Sequence, residues 1–241
     1  MDLAMAFQPI VDAQTGGVFA YEALVRGADG SGAAHVLARV TDENRYSFDQ
    51  QCRVAAIEGA VAAGILDTDA RLSINFLPNA VYSPAACIQL TLETAAATGF
   101  PPERLIFEFT EGEEMTDTDH VQHIVESYRK MGFATAIDDF GAGHAGLALL
   151  AKFQTDIIKL DMELVRNLNA SLPRRLILDG IVRIAASLDI TLIAEGIETE
   201  AEYAAIRALG IRYIQGYLLA RPGFRELPAV TLPGADYAAV A

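Results

Sequence analysis

Ala134-Thr-Ala-Ile-Asp138-Asp139-Phe140-Gly141-Ala142-Gly143 is a short apolar run that ends in two adjacent aspartates and opens into glycines. A run of this length bounded by turn residues predicts a buried strand. Neighbouring strand residues face opposite ways, so two successive aspartates converge only where the backbone turns, just past the strand end. Unpaired carboxylates brought together repel, and one takes up a proton unless a divalent cation resolves the conflict. A lone pair in a solvated turn would carry no such implication. This chain repeats the ending. Arg71-Leu-Ser-Ile-Asn75, Leu105-Ile-Phe-Glu108, Asp156-Ile-Ile-Lys159, Thr191-Leu-Ile-Ala-Glu195 and Arg212-Tyr-Ile-Gln215 are all apolar runs closing on a group suited to a metal or a phosphate.

Helical patterns fill the gaps between these runs. Toward the carboxyl terminus, a short helix near 145–152 precedes the strand 156–160. Ser171 and Pro173 open a helix with Ile177, Ile181, Ile184 and Leu188 on one face. After the strand 191–195, Thr199 and Glu202 form a capping box for a helix that stops at Gly210. A last strand near 212–219 leads to a tail broken by Pro222, Pro228 and Pro233.

Toward the amino terminus, a helix at about 117–131 carries Asp117 and Asp119 in its first turn, Arg129 and Lys130 in its last, and Gly132 just beyond. Strands 104–109 and 71–76 flank a helix near 85–98. Residues 45–65 form a longer helix with Val54, Ile57, Val61 and Ile65 in helical spacing, and a short helix lies near 33–40. Residues 4–10 and 17–26 suit a hairpin turning at Asp12-Ala-Gln-Thr-Gly16-Gly17. Strand and helix alternate from residue 45 onward, which predicts a parallel sheet with helices outside. The fold class is α/β, a modified TIM-type (β/α)8 barrel with an early antiparallel strand. In such barrels the carboxyl-terminal strand ends form the active site.

The 241 residues, 52% of them hydrophobic, suffice for a large core, and no linker divides the chain, so residues 1–241 are expected to form a single domain. Cys52 and Cys87 stand far apart, which suits neither a disulfide framework nor a thiolate metal site and fits a reducing cytoplasm. The first basic residue is Arg26, so the amino terminus lacks the charged region of a signal peptide. No apolar run approaches the roughly 18 residues that span a bilayer, so no membrane insertion is expected. A net charge of −14 disfavours nucleic-acid polymers as partners. A small phosphorylated ligand remains compatible with it if metal ions offset the charge.

Gathered on one face, the strand ends present Glu22, Asn75, Glu108, Asp138, Asp139, Lys159, Glu195 and Gln215, with Glu111 and Glu198 three residues after two of them. So many carboxylates cannot all ionise in one concavity without cations. Every donor is an oxygen, which selects Mg2+ or Mn2+ over zinc or copper. The ligand number suits two ions, and two divalent ions about 3.5–4 Å apart are the usual arrangement for in-line displacement at phosphorus. Gly141-Ala-Gly143-His-Ala-Gly146 fits a dinucleotide fingerprint. The aspartates before it would face a pyrophosphate without counter-charge, which sets that reading aside. His120 and His123, one turn apart, predict a solvated helix face, and Cys52 predicts core packing.

Glu22-Ala23-Leu24 inside Tyr-Glu-Ala-Leu-Val-Arg26, preceded by Gln8-Pro9-Ile10, resembles the signature of an EAL domain. Ser-Ile-Asn75, Phe-Glu108-Phe-Thr-Glu111, Asp138-Asp139-Phe-Gly, Ile-Lys159-Leu-Asp161, Ala-Glu195-Gly-Ile-Glu198 and Gln215-Gly-Tyr match its further motifs in order, from about residue 5 to 222, with 223–241 as a tail. The resemblance implies a cyclic-di-GMP phosphodiesterase that opens one phosphodiester to linear pGpG. It implies that Glu22, Asn75, Glu108 and Asp138 hold one metal, and that Asp138 bridges to a second shared with Asp139 and Glu195. Lys159 would position the water and phosphate, and Gln215 would assist at the metal-water layer. Gln8, Leu24 and Arg26 would contact substrate, and Glu111 and Glu198 would brace the glycine loop and the lysine. A homodimer and a sensory partner or fused sensor domain are further expectations from the family.

The loop Asp-Phe-Gly-Ala142-Gly-His144-Ala145-Gly146 departs from the family's common Asp-Phe-Gly-Thr-Gly-Tyr-Ser-Ser. It leaves the ligands intact and bears on the dimer contacts made there in the family. One alternative is a catalytically silent cyclic-di-GMP receptor signalling through a protein partner; such members usually lack a metal ligand or the lysine, and none is missing here. Another is a hydrolase of a different phosphodiester on the same barrel.

Overall fold

The computed structural model describes residues 1–110, 118–143 and 146–233. Strands β1 (Leu3–Asp12) and β2 (Val18–Gly27) come first, then helices α1 (Ala33–Leu37) and α2 (Arg45–Ala62). Next are β3 (Arg71–Asn75), α3 (Pro84–Cys87), α4 (Gln89–Thr98), β4 (Leu105–Thr110) and α5 (Thr118–Lys130). The chain continues through β5 (Ala134–Phe140), α6 (Gly146–Lys152), β6 (Ile157–Leu160), α7 (Met162–Val165) and α8 (Leu172–Ser187). It ends with β7 (Thr191–Ala194), α9 (Glu200–Ala208), β8 (Tyr213–Ile214) and β9 (Gly223–Phe224).

Strands β2 to β8 pair in parallel in chain order, and β1 closes the ring antiparallel to both β2 and β8. The hairpin and the early antiparallel strand expected from the sequence are both present. A closed ring has no exposed edge to manage. Arg212 secures the seam by gripping Asp12, its Nε donating to Oδ1 at 2.8 Å, while Asp12 also caps the hairpin through Gln14 N and Thr15 Oγ1.

The interior follows from the two-residue period of a strand. Ile10, Ala20, Ile106, Ala136, Ile157 and Ile193 meet in one apolar cluster that plugs the barrel, with Phe19 and Tyr213 against it. Two residues further on stand Glu22, Glu108, Asp138 and Lys159 in β2, β4, β5 and β6, with Glu195 and Gln215 just past β7 and β8. Gln8 supplies the same layer from antiparallel β1, paired with Glu22. The side chains between face outward into the main core; Phe107, Ile137 and Ile158 are buried there beneath the helices. An apolar floor thus carries a polar storey.

Several expectations need correction. α2 stops at Ala62, where Gly64 at φ +92° turns the chain into a 3-10 turn at Ile65–Asp67. Of the expected stripe, Ile57 and Ile65 are fully buried while Val54 and Val61 are only half-buried; Cys52, Arg53, Ala56 and Ala60 complete the buried face of α2. On α8 the buried residues are Leu178, Ile181 and Ala185, while Ile177, Ile184 and Leu188 are exposed. This helix is apolar on two faces, and periodicity alone does not say which one meets the barrel. The last strand is short because, past Ile214, the chain bonds to the loop after β7: Ile197 N donates to Gln215 O and Leu218 N to Ile197 O. A Cβ on Gly216 would lie 2.0 Å from Ile197 O, so that crossing requires glycine. The tail begins with structure, β9 pairing with Ala6 and Phe7 of β1. The capping box of α9 is present as expected. No helix among the described residues is long and apolar enough to cross a membrane.

Candidate metal centre

Lys159 is fully buried in the polar storey, its Nζ 2.8 Å from Glu195, 3.0 Å from Glu108, 3.0 Å from Asp138 and 3.4 Å from Glu22. One ammonium cannot balance four carboxylates in a medium of low dielectric. Burial accordingly pushes Glu108 up to about 8, with Glu22 and Asp138 adding to the rise and Lys159 opposing it. Glu195 is driven well above its ordinary value, first by burial and then by Asp138 and Glu22. Asp139 rises to about 6 from burial and the adjacent Asp138. Burial works against the charge of Lys159 as well, but Asp138, Glu108, Glu195 and Glu22 outweigh it and hold its pKa well above normal.

The oxygens fall into two groups, Glu22/Glu108/Asp138 and Asp138/Asp139/Glu195, each within 4.8 Å of one another, with Asp138 common to both. That span is close to the roughly 4.2 Å across an octahedral Mg2+ shell. Asp138 Oδ1 is buried and has no hydrogen-bond partner; its contact with Lys159 has ion-pair distance without hydrogen-bond geometry. An orphaned carboxylate oxygen at the meeting point of two oxygen-only donor groups fits hard divalent cations.

The convergence of Asp138 and Asp139 differs from expectation in one respect. It occurs inside β5, at an irregularity in the β5–β6 register between Ile137 and Phe140, where Asp139 adopts φ +54°. Left-handed backbone at a non-glycine residue is uncommon and costs energy. It abolishes the alternation that would otherwise point the two carboxylates apart. Around this pair the other acids are steadied by neighbours. Asn75 Nδ2 donates to Glu22 Oε1 at 3.2 Å, Gln215 Nε2 to Glu22 Oε2 at 2.8 Å, and Ser73 Oγ to Glu108 Oε1. Ser73 was legible as the inward residue two before Asn75, but its hydroxyl carried no signal by itself.

Of the expected residues, Glu22, Asn75, Glu108, Asp138, Asp139, Lys159, Glu195 and Gln215 come together. Gln8, Glu22, Asp139, Glu195, Glu198 and Gln215 line an open cleft of about 230 Å3 shared with Asp161, Met162 and Tyr217. Gln8 Nε2 donates to Ala220 O at 3.4 Å. Leu24 borders a neighbouring apolar cleft, and half-buried Arg26 donates to Val25 O. Glu198 is not among the carboxylates around Lys159: at the cleft its half-exposed carboxylate pairs with Arg166 at 2.9 Å. Glu111 and the loop residues His144 and Ala145 lie outside the described residues, as does Asp117. His123 is exposed, as expected, and both cysteines are buried free thiols.

The EAL domain family matches residues 1–222. The chain belongs to this family. Among curated relatives, the EAL chain is 34% identical over 228 residues to the blue light- and temperature-regulated antirepressor BluF of Escherichia coli K12, covering 95% of this chain and 56% of BluF. It is 35% identical over 121 residues to the probable cyclic di-GMP phosphodiesterase PdeA of the same organism, covering 50% of this chain and 17% of PdeA. The EAL chain thus spans little more than half of the first and far less of the second. A standalone versatile EAL protein from Vibrio cholerae O395, solved with c-di-GMP bound, superposes with a TM-score of 0.91 at 50% identity, covering 95% of this chain and 96% of that one. The manganese/cy-diGMP complex of Klebsiella pneumoniae BlrP1 gives 0.88 at 34% identity, covering 95% and 58%. Family members thus include proteins named as c-di-GMP phosphodiesterases and others named as regulators.

Proposed function

We propose that this EAL chain hydrolyses cyclic-di-GMP to linear pGpG with two divalent ions, Mg2+ or Mn2+, bound per active site. Glu22, Asn75, Glu108 and Asp138 hold one ion; Asp138, Asp139 and Glu195 hold the other. The single observation that carries this reading is Asp138, shared by the two acidic groups and left with a buried oxygen that accepts no hydrogen bond. When bound, the ions supply an activated water and neutralise charge on the phosphoryl oxygens. Lys159 orients the water and the scissile phosphate, and it stays protonated among the surrounding carboxylates. Gln215 holds Glu22 and assists at the water layer. Gln8, Leu24 and Arg26 contact substrate, and Glu111 supports the glycine loop. The exposed Leu172, Leu176, Ile177, Ile184 and Leu188 flank Gly180 on α8 and support a homodimer through that face. Residues 1–241 act as one EAL unit in the cytoplasm, and a sensory partner or fused domain supplies its input.

Incubation with cyclic-di-GMP and Mg2+ or Mn2+ followed by chromatography tests the reading. Linear pGpG is the expected product, and Ca2+ should not sustain turnover because its larger, flexible shell misplaces the water. Intact ligand retained in a stable complex would favour a receptor, the second reading, which the likeness to an antirepressor supports. Equal cleavage of unrelated nucleotides would point to another phosphodiester substrate.

A further inference from the structure

Behind the acidic cluster, on the outer side of the barrel wall, lies a second buried charge group that the proposed reaction does not use. Arg53 of α2 is fully buried, its Nε 2.8 Å from Asp49 Oδ2 one helical turn earlier. Its guanidinium carbon sits 5.2 Å from the ring centre of Phe107 and 5.5 Å from that of Phe76, and Nη1 donates to Tyr128 of α5 at 3.0 Å. Phe107 directly precedes Glu108, and Phe76 directly follows Asn75. By strand alternation, the outward rings under Arg53 belong to the same strand ends whose inward side chains face Lys159. Phe76 N donates to Glu108 O at 2.8 Å, tying the two ends together.

Asp49 completes the brace. Its Oδ1 accepts from Leu77 N at 2.9 Å, two residues beyond Asn75. An apolar cleft of about 450 Å3 borders Asp49, Asn75, Phe76, Leu77 and Thr110 there. Interiors normally fix side chains by close packing. Beside a cleft, the hydrogen bond from Leu77 to Asp49 has to do that work.

We propose that the buried Asp49–Arg53 pair is a positioning device for Asn75 and Glu108, and so sets the metal affinity of the Glu22/Asn75/Glu108/Asp138 half of the site. Asp139 and Glu195, which complete the Asp138/Asp139/Glu195 half, lie on segments that the pair's hydrogen bonds do not reach, so that half does not depend on it. This inference rests on the two-ion reading above.

The test separates the halves. Mn2+ is titrated by calorimetry and electron paramagnetic resonance into the full chain, into Glu195→Gln, which leaves the first half, and into Glu108→Gln, which leaves the second. Each is compared with and without Asp49→Leu/Arg53→Met. This double change removes the pair without leaving an orphaned charge, a replacement that is often tolerated, and the adjoining cleft gives Leu room. Affinity should fall about 10–100-fold in the Glu195→Gln background and stay unchanged in the Glu108→Gln background. Tyr128→Phe, which removes one hydroxyl and little volume, should give a smaller loss with the same split and serves if the double variant does not fold. Equal losses in both backgrounds, or none in either, would overturn the proposal while leaving the two-ion reading intact. Absence of Mn2+ binding by the unsubstituted chain would overturn both.

Discussion

Lys159 and Arg53 are both completely buried cations, within one barrel and on adjoining layers, yet their surroundings differ in charge balance. Arg53 has one carboxylate, one phenol and a box of aromatic faces. Asp49 matches its charge one for one, so no excess charge there calls for a further ion. Lys159 faces four carboxylates with a fifth, Asp139, nearby, and the excess negative charge shows in acids driven far above their ordinary pKa values. A buried cation therefore does not by itself mark an ion-binding site. An imbalance around it does, because desolvated charge is too costly to leave uncompensated unless something else binds there.

On that distinction, the largest effect belongs to the carboxylate both groups share. Asp138→Asn should lower cyclic-di-GMP turnover by on the order of 10³-fold, measured by pGpG formation under saturating Mn2+. Near-normal rates would break the comparison by showing that the shared oxygen is not used.

The next test sets the two cations against each other. Lys159→Met and Arg53→Met should each destabilise the metal-free chain at pH 8 by about 3–5 kcal/mol, since each leaves buried acids without their partner. Millimolar Mn2+ should restore stability to Lys159→Met, because cations can replace the missing charge, and should do nothing for Arg53→Met. Denaturant midpoints with and without the ion measure both. Equal rescue would erase the distinction.

A smaller effect is a slope with pH. Glu108 and Asp139 have folded-state values raised to about 8 and about 6, against 4.5 and 3.8 for the free groups. The folded state therefore binds more protons than the unfolded state between those limits, and stability must fall as pH rises. The contribution is fully present below about 4 and gone above about 8. Mn2+ should reverse the slope, since its ligands must shed protons to bind. Denaturation of the metal-free and Mn2+-loaded chain from pH 5 to 8 checks the sign.

Smallest is the balanced pair at the barrel seam. Arg212 holds Asp12 well below the usual carboxylate range, aided by Gln14 and Thr15. Its stabilisation is present above pH 3.8 and is lost as pH falls through the lowered value, the opposite sign to the acidic cluster. Asp12→Asn should destabilise only modestly, because Arg212 is partly solvated, and it should leave Mn2+ affinity unchanged. A Mn2+ titration and a melting curve of that variant check both.

Much of this architecture was legible because a barrel strand carries its information at a period of two. The endings at Asn75, Glu108, Lys159 and Glu195 declared both the parallel sheet and the end at which its chemistry gathers. Less legible was anything set by a local departure from regular backbone. Nothing in Asp138-Asp139 announces that the turn lies inside the strand, since aspartate reaches positive φ only where its surroundings impose it. Glu198 pairs with Arg166 and not with Lys159, a partner that its spacing from Glu195 does not name. The faces of α8 were ambiguous for a different reason, being apolar on both sides. Asp49 and Arg53 were recoverable in principle: opposite charges at i, i+4 flanked by apolar residues suggest a pair taken inside together.

The most direct test of the central claim is an anomalous difference map from a crystal soaked in Mn2+. Two peaks about 3.5–4 Å apart, one on each side of the Asp138 carboxylate and ringed by Glu22, Glu108, Asp139 and Glu195, are the predicted result. A map with no peak at Asp138, with Lys159 still holding all its carboxylates, would contradict it.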